Sequence, residues 1–276
     1  MIKKLYKKMR VFVRVVGESK RPGRYVIAHV LAKTGLCKFF TIKMDGYKLH
    51  FTPSALSITL FSNPGDRDHD EQFFRQILKK GDVYVDVGAN IGTLALCASG
   101  LVGHNGKVIA IEAHPVTFDY LSKNIKLNGF TNISLLNYAA GNKEGTLFFS
   151  DINSDDQNKV ITTEDGGITV SVKKLDQLLQ DENNIKLIKI DVEGFEKFVI
   201  EGACELLQRT SMVFFESWDQ SFNGYGYTAG DLISLLESMH FNVYKIVGSQ
   251  KYIIDSLHHS SVCENLLAIK KGYEIE

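Results

Sequence analysis

The stretch Tyr84-Val85-Asp86-Val87-Gly88-Ala89-Asn90-Ile91-Gly92 constrains this chain more than any other. An apolar run over residues 83–87, broken only by Asp86, reads as a buried strand. Gly88 and Gly92 then let the backbone turn sharply and pass close to a ligand, because neither carries a Cβ. From Thr93 the residues Leu94, Ala95, Leu96, Cys97 and Ala98 suit a buried helix whose N-terminus faces the turn. Strand, glycine turn and helix in that order form the mononucleotide-binding half of a doubly wound α/β fold.

The rest of the chain supports that architecture. Strands are expected at residues 108–111, 133–136, 185–192 and 212–216, with helices at 115–127, 195–207 and 229–239. A hairpin is expected over 146–172, with residues 151–157 as a polar loop. A short helix is expected at 175–179. The last two strands, 242–247 and 266–269, leave no room for a crossover helix, so they should pair antiparallel at the sheet edge. Seven strands alternating with helices argue for a mostly parallel sheet buried on both faces. Upstream, Arg21-Pro22-Gly23-Arg24 reads as a turn, 25–36 as a short helix stopped near Gly35, and 39–51 as a hairpin around Asp45-Gly46. Residues 53–61 read as mixed, 63–68 as a polar loop and 71–78 as a helix. The division is residues 1–55 as an N-terminal extension and 56–276 as the main domain.

Charge is unevenly spread. The net formal charge is +0, yet residues 1–38 hold eleven Lys or Arg and one acid, Glu18. Within this arm Ile2, Leu5, Met9, Phe12, Val13 and Val16 recur at helical spacing, with Lys3, Lys7, Arg10 and Arg14 on another face. Such a helix either packs on the domain by its apolar stripe or lies on an anionic membrane surface. No nucleic-acid-reading module is present. Four separated cysteines suit buried thiols in a reducing compartment. No apolar run approaches the ~20 residues that span a bilayer. The basic N-terminus is not followed by the apolar core of a secretory leader, so a cytoplasmic location is expected.

Open α/β sheets bind ligands beyond the C-terminal ends of their strands. After the first strand come Asp86, Gly88, Asn90 and Gly92. After the second comes Glu112, 24 residues beyond Gly88, where a carboxylate can accept hydrogen bonds from two ribose hydroxyls. The Gly-x-x-x-Gly spacing, with an acid two residues ahead, suits S-adenosylmethionine (SAM) better than NAD. Asn137, after the third strand, either reaches an adenine edge or finishes a turn. Asp191 and Glu193 follow the fourth strand and Glu216 ends the fifth. Like charges gathered at one mouth repel unless solvated, protonated or bound, and a general base for a hydroxyl nucleophile is the functional reading. Asp191 is the first choice, then Glu193 and Glu216. Glu193 also reads as a helix N-terminal acid. The same three would suit magnesium or calcium, but no metal is assigned to the site. His114 reads as a solvated loop residue. Trp218, Phe222, Tyr225 and Tyr227, interleaved with glycines, either stack on a substrate or pack on the core.

These motifs together resemble the FkbM family of SAM-dependent methyltransferases. The resemblance rests on residues 81–92, Ile111-Glu112-Ala113-His114-Pro115, Asn124-Ile125-Lys126-Leu127-Asn128-Gly129, Ala140-Gly141, Leu175-Asp176, Ile188-Lys189-Ile190-Asp191-Val192-Glu193-Gly194-Phe195-Glu196, Phe215-Glu216 and Asn265-Leu266-Leu267-Ala268. The Lys-Ile-Asp-Val-Glu-Gly block is the most specific. The resemblance spans roughly residues 56–270 in order and leaves the first fifty outside. It implies a Rossmann-like class I methyltransferase fold, SAM as donor, and O-methylation of a hydroxyl on a sugar, glycan or natural product. It further implies that Asp86, Gly88, Asn90 and Gly92 contact the methionine part of SAM and Glu112 its ribose. It fixes neither the base nor the acceptor. Two rivals stand beside it. A nicotinamide-dependent dehydrogenase lacks its Gly-x-Gly-x-x-Gly here, and a non-catalytic module could keep the same fold.

Overall fold

The computed structural model describes residues 16–17, 21–150, 160–161, 167–248 and 250–275. The basic arm before Arg21 and the polar loop expected at 151–157 lie largely or wholly outside those residues.

Helix α1 (Pro22–Lys33) begins with Pro22 in its first turn. The Arg21-Pro22-Gly23-Arg24 segment, expected as a turn, therefore opens a helix. Proline fits there because that N–H would lack a helical partner anyway. Gly35, at φ 72°, ends the segment in the left-handed region. Strands β1 (Thr41–Lys43) and β2 (Lys48–His50) form the expected hairpin, with Thr41 opposite His50. The mixed stretch that follows is helix α2 (Ala55–Ser62), capped by the Ser54 side chain accepting from the Ser57 N–H. Helix α3 (Asp68–Ile77) carries Asp68, Asp70 and Glu71 in its first turn, where the helix dipole favours negative charge.

The chain then alternates. Strand β3 (Val83–Val87) leads to α4 (Thr93–Val102), β4 (Lys107–Ile111) to α5 (Pro115–Asn128), and then comes β5 (Ile133–Leu136). An excursion follows: β6 (Ala139–Ala140), β7 (Gly145–Ser150), β8 (Val160–Ile161) and β9 (Gly167–Lys173) form a small sheet in the order β6-β9-β7-β8. After α6 (Leu175–Leu178) comes β10 (Ile185–Ile190). The single helix expected over 195–207 is two, α7 (Glu196–Glu201) and α8 (Cys204–Gln208). They part at Gly202, where a Cβ would stand 2.0 Å from the Gly141 carbonyl oxygen. Strand β11 (Thr210–Ser217) is followed by α9 (Asp219–Phe222) and α10 (Ala229–Ser238). Thr228 and Asp231 cap α10 reciprocally. The chain ends with β12 (Phe241–Val247), β13 (Gln250–Ile254) and β14 (Glu264–Lys270).

The main sheet has eight strands in the order β13-β12-β14-β11-β10-β3-β4-β5, one more than the seven expected. The last two expected strands do pair antiparallel, but β14 enters between β11 and β12 and is antiparallel to both. A return from β12 without a crossover helix has no parallel solution. The extra strand β13 takes the edge. Its residues are almost all exposed, so they carry no inward-facing apolar pattern to announce them.

The core lies on the two faces of this sheet. Alternation along β3 sends Tyr84 to one face and Val85 and Val87 to the other, and β11 splits Phe214 from Phe215 in the same way. Ala28, Ile42, Leu49 and Phe51 of the N-terminal region join the Tyr84 face. Two asparagines of α5 fasten that region. Asn124 Oδ1 accepts from the His50 N–H at 2.7 Å, and Asn128 Oδ1 accepts from the Lys48 N–H at 2.8 Å. Among the described residues no helix is long and apolar enough to cross a membrane.

Candidate active site

Strand order reverses between β3 and β10, where the chain winds one way to β5 and later the other way to β11. Ligands in doubly wound folds sit at such a reversal. A cavity of about 250 Å³ opens there, lined among others by Asp86, Gly88, Asn90, Glu112, Asp191, Glu193 and Glu216. Seven of the nine residues singled out by sequence thus share one space.

The glycine turn is set by β10. Gly88 has φ 80°, and a Cβ on it would lie 1.9 Å from the Asp191 carbonyl oxygen. No side chain fits at that approach. Gly92 (φ 93°) faces Leu121 Cδ1 behind the wall and does not line the cavity. Asn90 holds φ 50°, a region asparagine tolerates better than most residues. Its backbone N–H donates to Glu112 Oε2 at 2.9 Å, and the other Glu112 oxygen accepts from the His114 N–H at 2.9 Å. Glu112 is 8% exposed, and burial pushes its carboxyl up to about 7 despite those two donors. Asn137 stands outside the cavity wall. Its amide donates to the Glu112 and Ala113 carbonyl oxygens, so it braces the loop that carries Glu112. Its neighbour Tyr138 lines the cavity instead. His114 is buried rather than solvated.

Asp86 is 1% exposed, and neither carboxylate oxygen has a hydrogen-bond partner among the described residues. Burial pushes its carboxyl up, and the Lys189 ammonium pulls it back. Lys189 stands opposite Asp86 in the β3–β10 register. Its Nζ lies 3.1 Å from the Gly88 carbonyl oxygen, 3.2 Å from Asp191 Oδ2 and 3.5 Å from Asp86 Oδ1. Burial alone would lower the lysine, but Asp191 and Asp86 hold it charged, above its usual range. The sequence reading passed over this residue. Its signal was a lysine near the C-terminal end of a strand that, but for Lys186, is apolar on both faces, where a buried charge is tolerated only if paired.

The acids at the C-terminal ends of β10 and β11 do converge. One carboxylate oxygen each from Asp191, Glu193 and Glu216 lie within 4.8 Å of one another, a spacing that also suits a hard divalent cation. Glu216 is pushed up by burial and by the charge of Asp191, and its Oε1 accepts from the Cys263 thiol at 3.0 Å. Glu193 has φ 57° and Gly194 φ 100°. Buried Glu196 pins this turn: its Oε1 accepts from the Val192 N–H at 3.0 Å and the Gly194 N–H at 3.3 Å. Burial pushes Glu196 up to about 8. Arg67, from a loop read only as polar, lines the cavity beside Asp191 and Asp70, which keep it charged. Of the aromatic loop, Phe222 and Tyr227 pack in the core. The Tyr227 hydroxyl donates to the Gly194 carbonyl oxygen at 2.7 Å, and that of Tyr225 to the Val160 carbonyl oxygen at 2.8 Å. These tyrosines brace the site's loops.

A doubly wound sheet with a glycine turn at its reversal point, an acid beyond the next strand and an antiparallel strand inserted beside β11 defines the Rossmann-like class I methyltransferase fold. The model of the methyltransferase FkbM domain matches residues 86–243, more than half of the chain. The hexuronic acid methyltransferase AglP of Haloferax volcanii is 31% identical over 195 residues, covering 68% of this chain and 78% of that protein. The methyltransferase sdnD of Sordaria araneosa is 29% identical over 173 residues, 50% of this chain and 66% of its own. A crystal structure of methyltransferase FkbM from Methylobacillus flagellatus superposes with a TM-score of 0.46 at 13% identity, covering 78% of this chain and 55% of that one. The chain belongs to the FkbM methyltransferase family, enzymes whose methyl donor is SAM.

Proposed function

We propose that this enzyme methylates a hydroxyl of a sugar or glycan, with the SAM site and the acceptor site meeting in the cavity between β3 and β10. One observation carries the reading: a buried carboxylate held only by the Lys189 ammonium (Asp86), a strand-end carboxylate (Glu112) and an acid trio surround one space. The residues present fit the donor. Asp86 is ion-paired to Lys189 through Oδ1 only, and its remaining lone pairs suit an α-ammonium group. Glu112 offers its carboxylate to ribose hydroxyls. The bare backbone at Gly88 lets a ligand lie against the turn. An acid-rich wall also favours a cationic ligand over a neutral or anionic one. SAM, when bound, supplies a methyl group already activated by its sulfonium, so the protein mainly orients the acceptor.

A sugar hydroxyl is a poor nucleophile at neutral pH, and a positioned base contributes roughly two to four orders of magnitude. Sequence alone put Asp191 first. The Lys189 ammonium stands 3.2 Å from Asp191 Oδ2, so one oxygen of that carboxylate is already engaged. Glu216, raised by burial and by the charge of Asp191, takes the hydroxyl proton on its carboxylate. Asp191 and Glu193 hold the acceptor, and the charge of Asp191 keeps Glu216 basic. The acceptor class is supported by AglP, which is named for hexuronic acid.

The test is transfer of labelled methyl from SAM to cell-envelope glycan and lipid fractions. Label should enter a glycan-bearing fraction. Glu216→Gln should lower turnover by about a hundredfold or more while calorimetric SAM affinity stays unchanged. Wild-type turnover in that variant would return the base to Asp191. SAM binding with no transfer to any fraction would favour a non-catalytic module.

A further inference from the structure

The N-terminal region presents an apolar face and a cationic face together, and neither is used by the cavity. On α1, Ile27 is 55% exposed and Val30 54% exposed, on the side of the helix away from buried Ala28. Past the Gly35 turn, Leu36 is exposed and Phe39 is 73% exposed. Cations border this patch. Arg24 lies over the Phe61 ring, Lys33 ends α1, and Lys38 sits over the Phe39 ring. Residues 1–54 hold thirteen Lys or Arg and two acids, Glu18 and Asp45. Of these, Asp45 is already paired with Arg75 at 2.9 Å.

We propose that this face docks on an anionic lipid membrane. Aliphatic and aromatic side chains flanked by Lys and Arg match the boundary between acyl chains and acidic headgroups, where both terms favour binding. The sequence of the arm ahead of α1 repeats the same pattern of apolar residues at helical spacing beside Lys and Arg. Symmetric pairing of two copies through the patch would set like charges against each other. Binding to a nucleic-acid backbone would leave Ile27, Val30 and Leu36 exposed between the cations with nothing to cover them. Helix α1 packs on α2, whose Leu56 lines the cavity. The docking face therefore belongs to the same packed unit as one wall of the site.

Co-sedimentation of the full chain with phosphatidylcholine vesicles, with and without phosphatidylglycerol, tests this. Binding should require phosphatidylglycerol and weaken as salt rises. The triple variant Ile27→Ser, Val30→Ser, Phe39→Ser should lower partitioning about tenfold or more. The pair Lys33→Glu, Lys38→Glu should lower it as well. All five positions are exposed, so the thermal midpoint and SAM affinity should stay at wild-type values. No binding to either vesicle, or full binding by the triple variant, would overturn the proposal. A dimer abolished by the triple variant would assign the face to self-association. Retention on RNA but not on vesicles would assign it to nucleic acid.

Discussion

Lys189 is the residue on which the site's charge balance turns. It holds two carboxylates, Asp86 and Asp191, from adjacent strands, and all but a sliver of it is buried. Removing one partner of a buried ionic group leaves the other uncompensated. Lys189→Met should therefore cost about 3 kcal/mol, a fall of roughly 6–12 °C in Tm for a chain of this size, measurable by calorimetry. Asp86→Asn in the same chain should restore part of the loss. Glu112 offers a pH prediction. Its carboxyl stands near 7, so it is protonated below that pH and ionised above it. If ribose hydroxyls need the ionised form, SAM affinity should fall about tenfold between pH 8 and pH 6. Glu112→Gln should flatten the profile. The sign for stability is opposite. A carboxyl raised in the folded state favours the protonated protein, so its share of stability without ligand declines as pH climbs from the ordinary carboxylate range to about 7.

At the scale of elements, the glycine turn is held from outside its own segment. Asn124 of α5 donates to the Ile91 carbonyl oxygen at 2.8 Å and accepts from the His50 N–H on β2. One fully buried side chain thus joins the hairpin, α5 and the turn. Asn124→Ala should destabilise the protein by about 2 kcal/mol, since both backbone partners lose their hydrogen bonds. It should also weaken SAM binding, read by isothermal titration. Intact affinity would mean that the turn stands without this support. The turn, β3 and the strand ends bearing Glu112 and Asp191 were legible in the sequence because their signal is local. A strand pattern, a glycine and the first polar residue after an apolar run lie within a few positions. The break at Gly202 and the edge strand β13 were not. The first depends on the Gly141 backbone passing 2.0 Å from an added Cβ. The second depends on a neighbour to pair with and buries little of its own surface.

At the scale of the molecule, donor binding and stability are linked. A ligand that binds only the folded chain stabilises it by about 2.7 kcal/mol at a hundred times its dissociation constant. SAM at that excess should raise Tm by roughly 5–10 °C, and NAD should leave it unchanged. A shift with NAD instead would revive the dehydrogenase reading. The sequence by itself determined a doubly wound sheet, the family, and a group of acids and glycines at strand ends. Those features are written in local periodicity and in which residue follows each strand. Only the tertiary structure decided what each group does to its neighbours. Register set Lys189 beside Asp86. The crossing of β10 behind the turn made Gly88 obligatory. Burial beside Asp191 pushed the Glu216 carboxyl up, and hydrogen bonds to the Glu112 and Ala113 carbonyls turned Asn137 into a brace. Charge and packing act through space over a few ångströms, and residues that close in space stand more than a hundred positions apart in the chain, as Gly88 and Lys189 do.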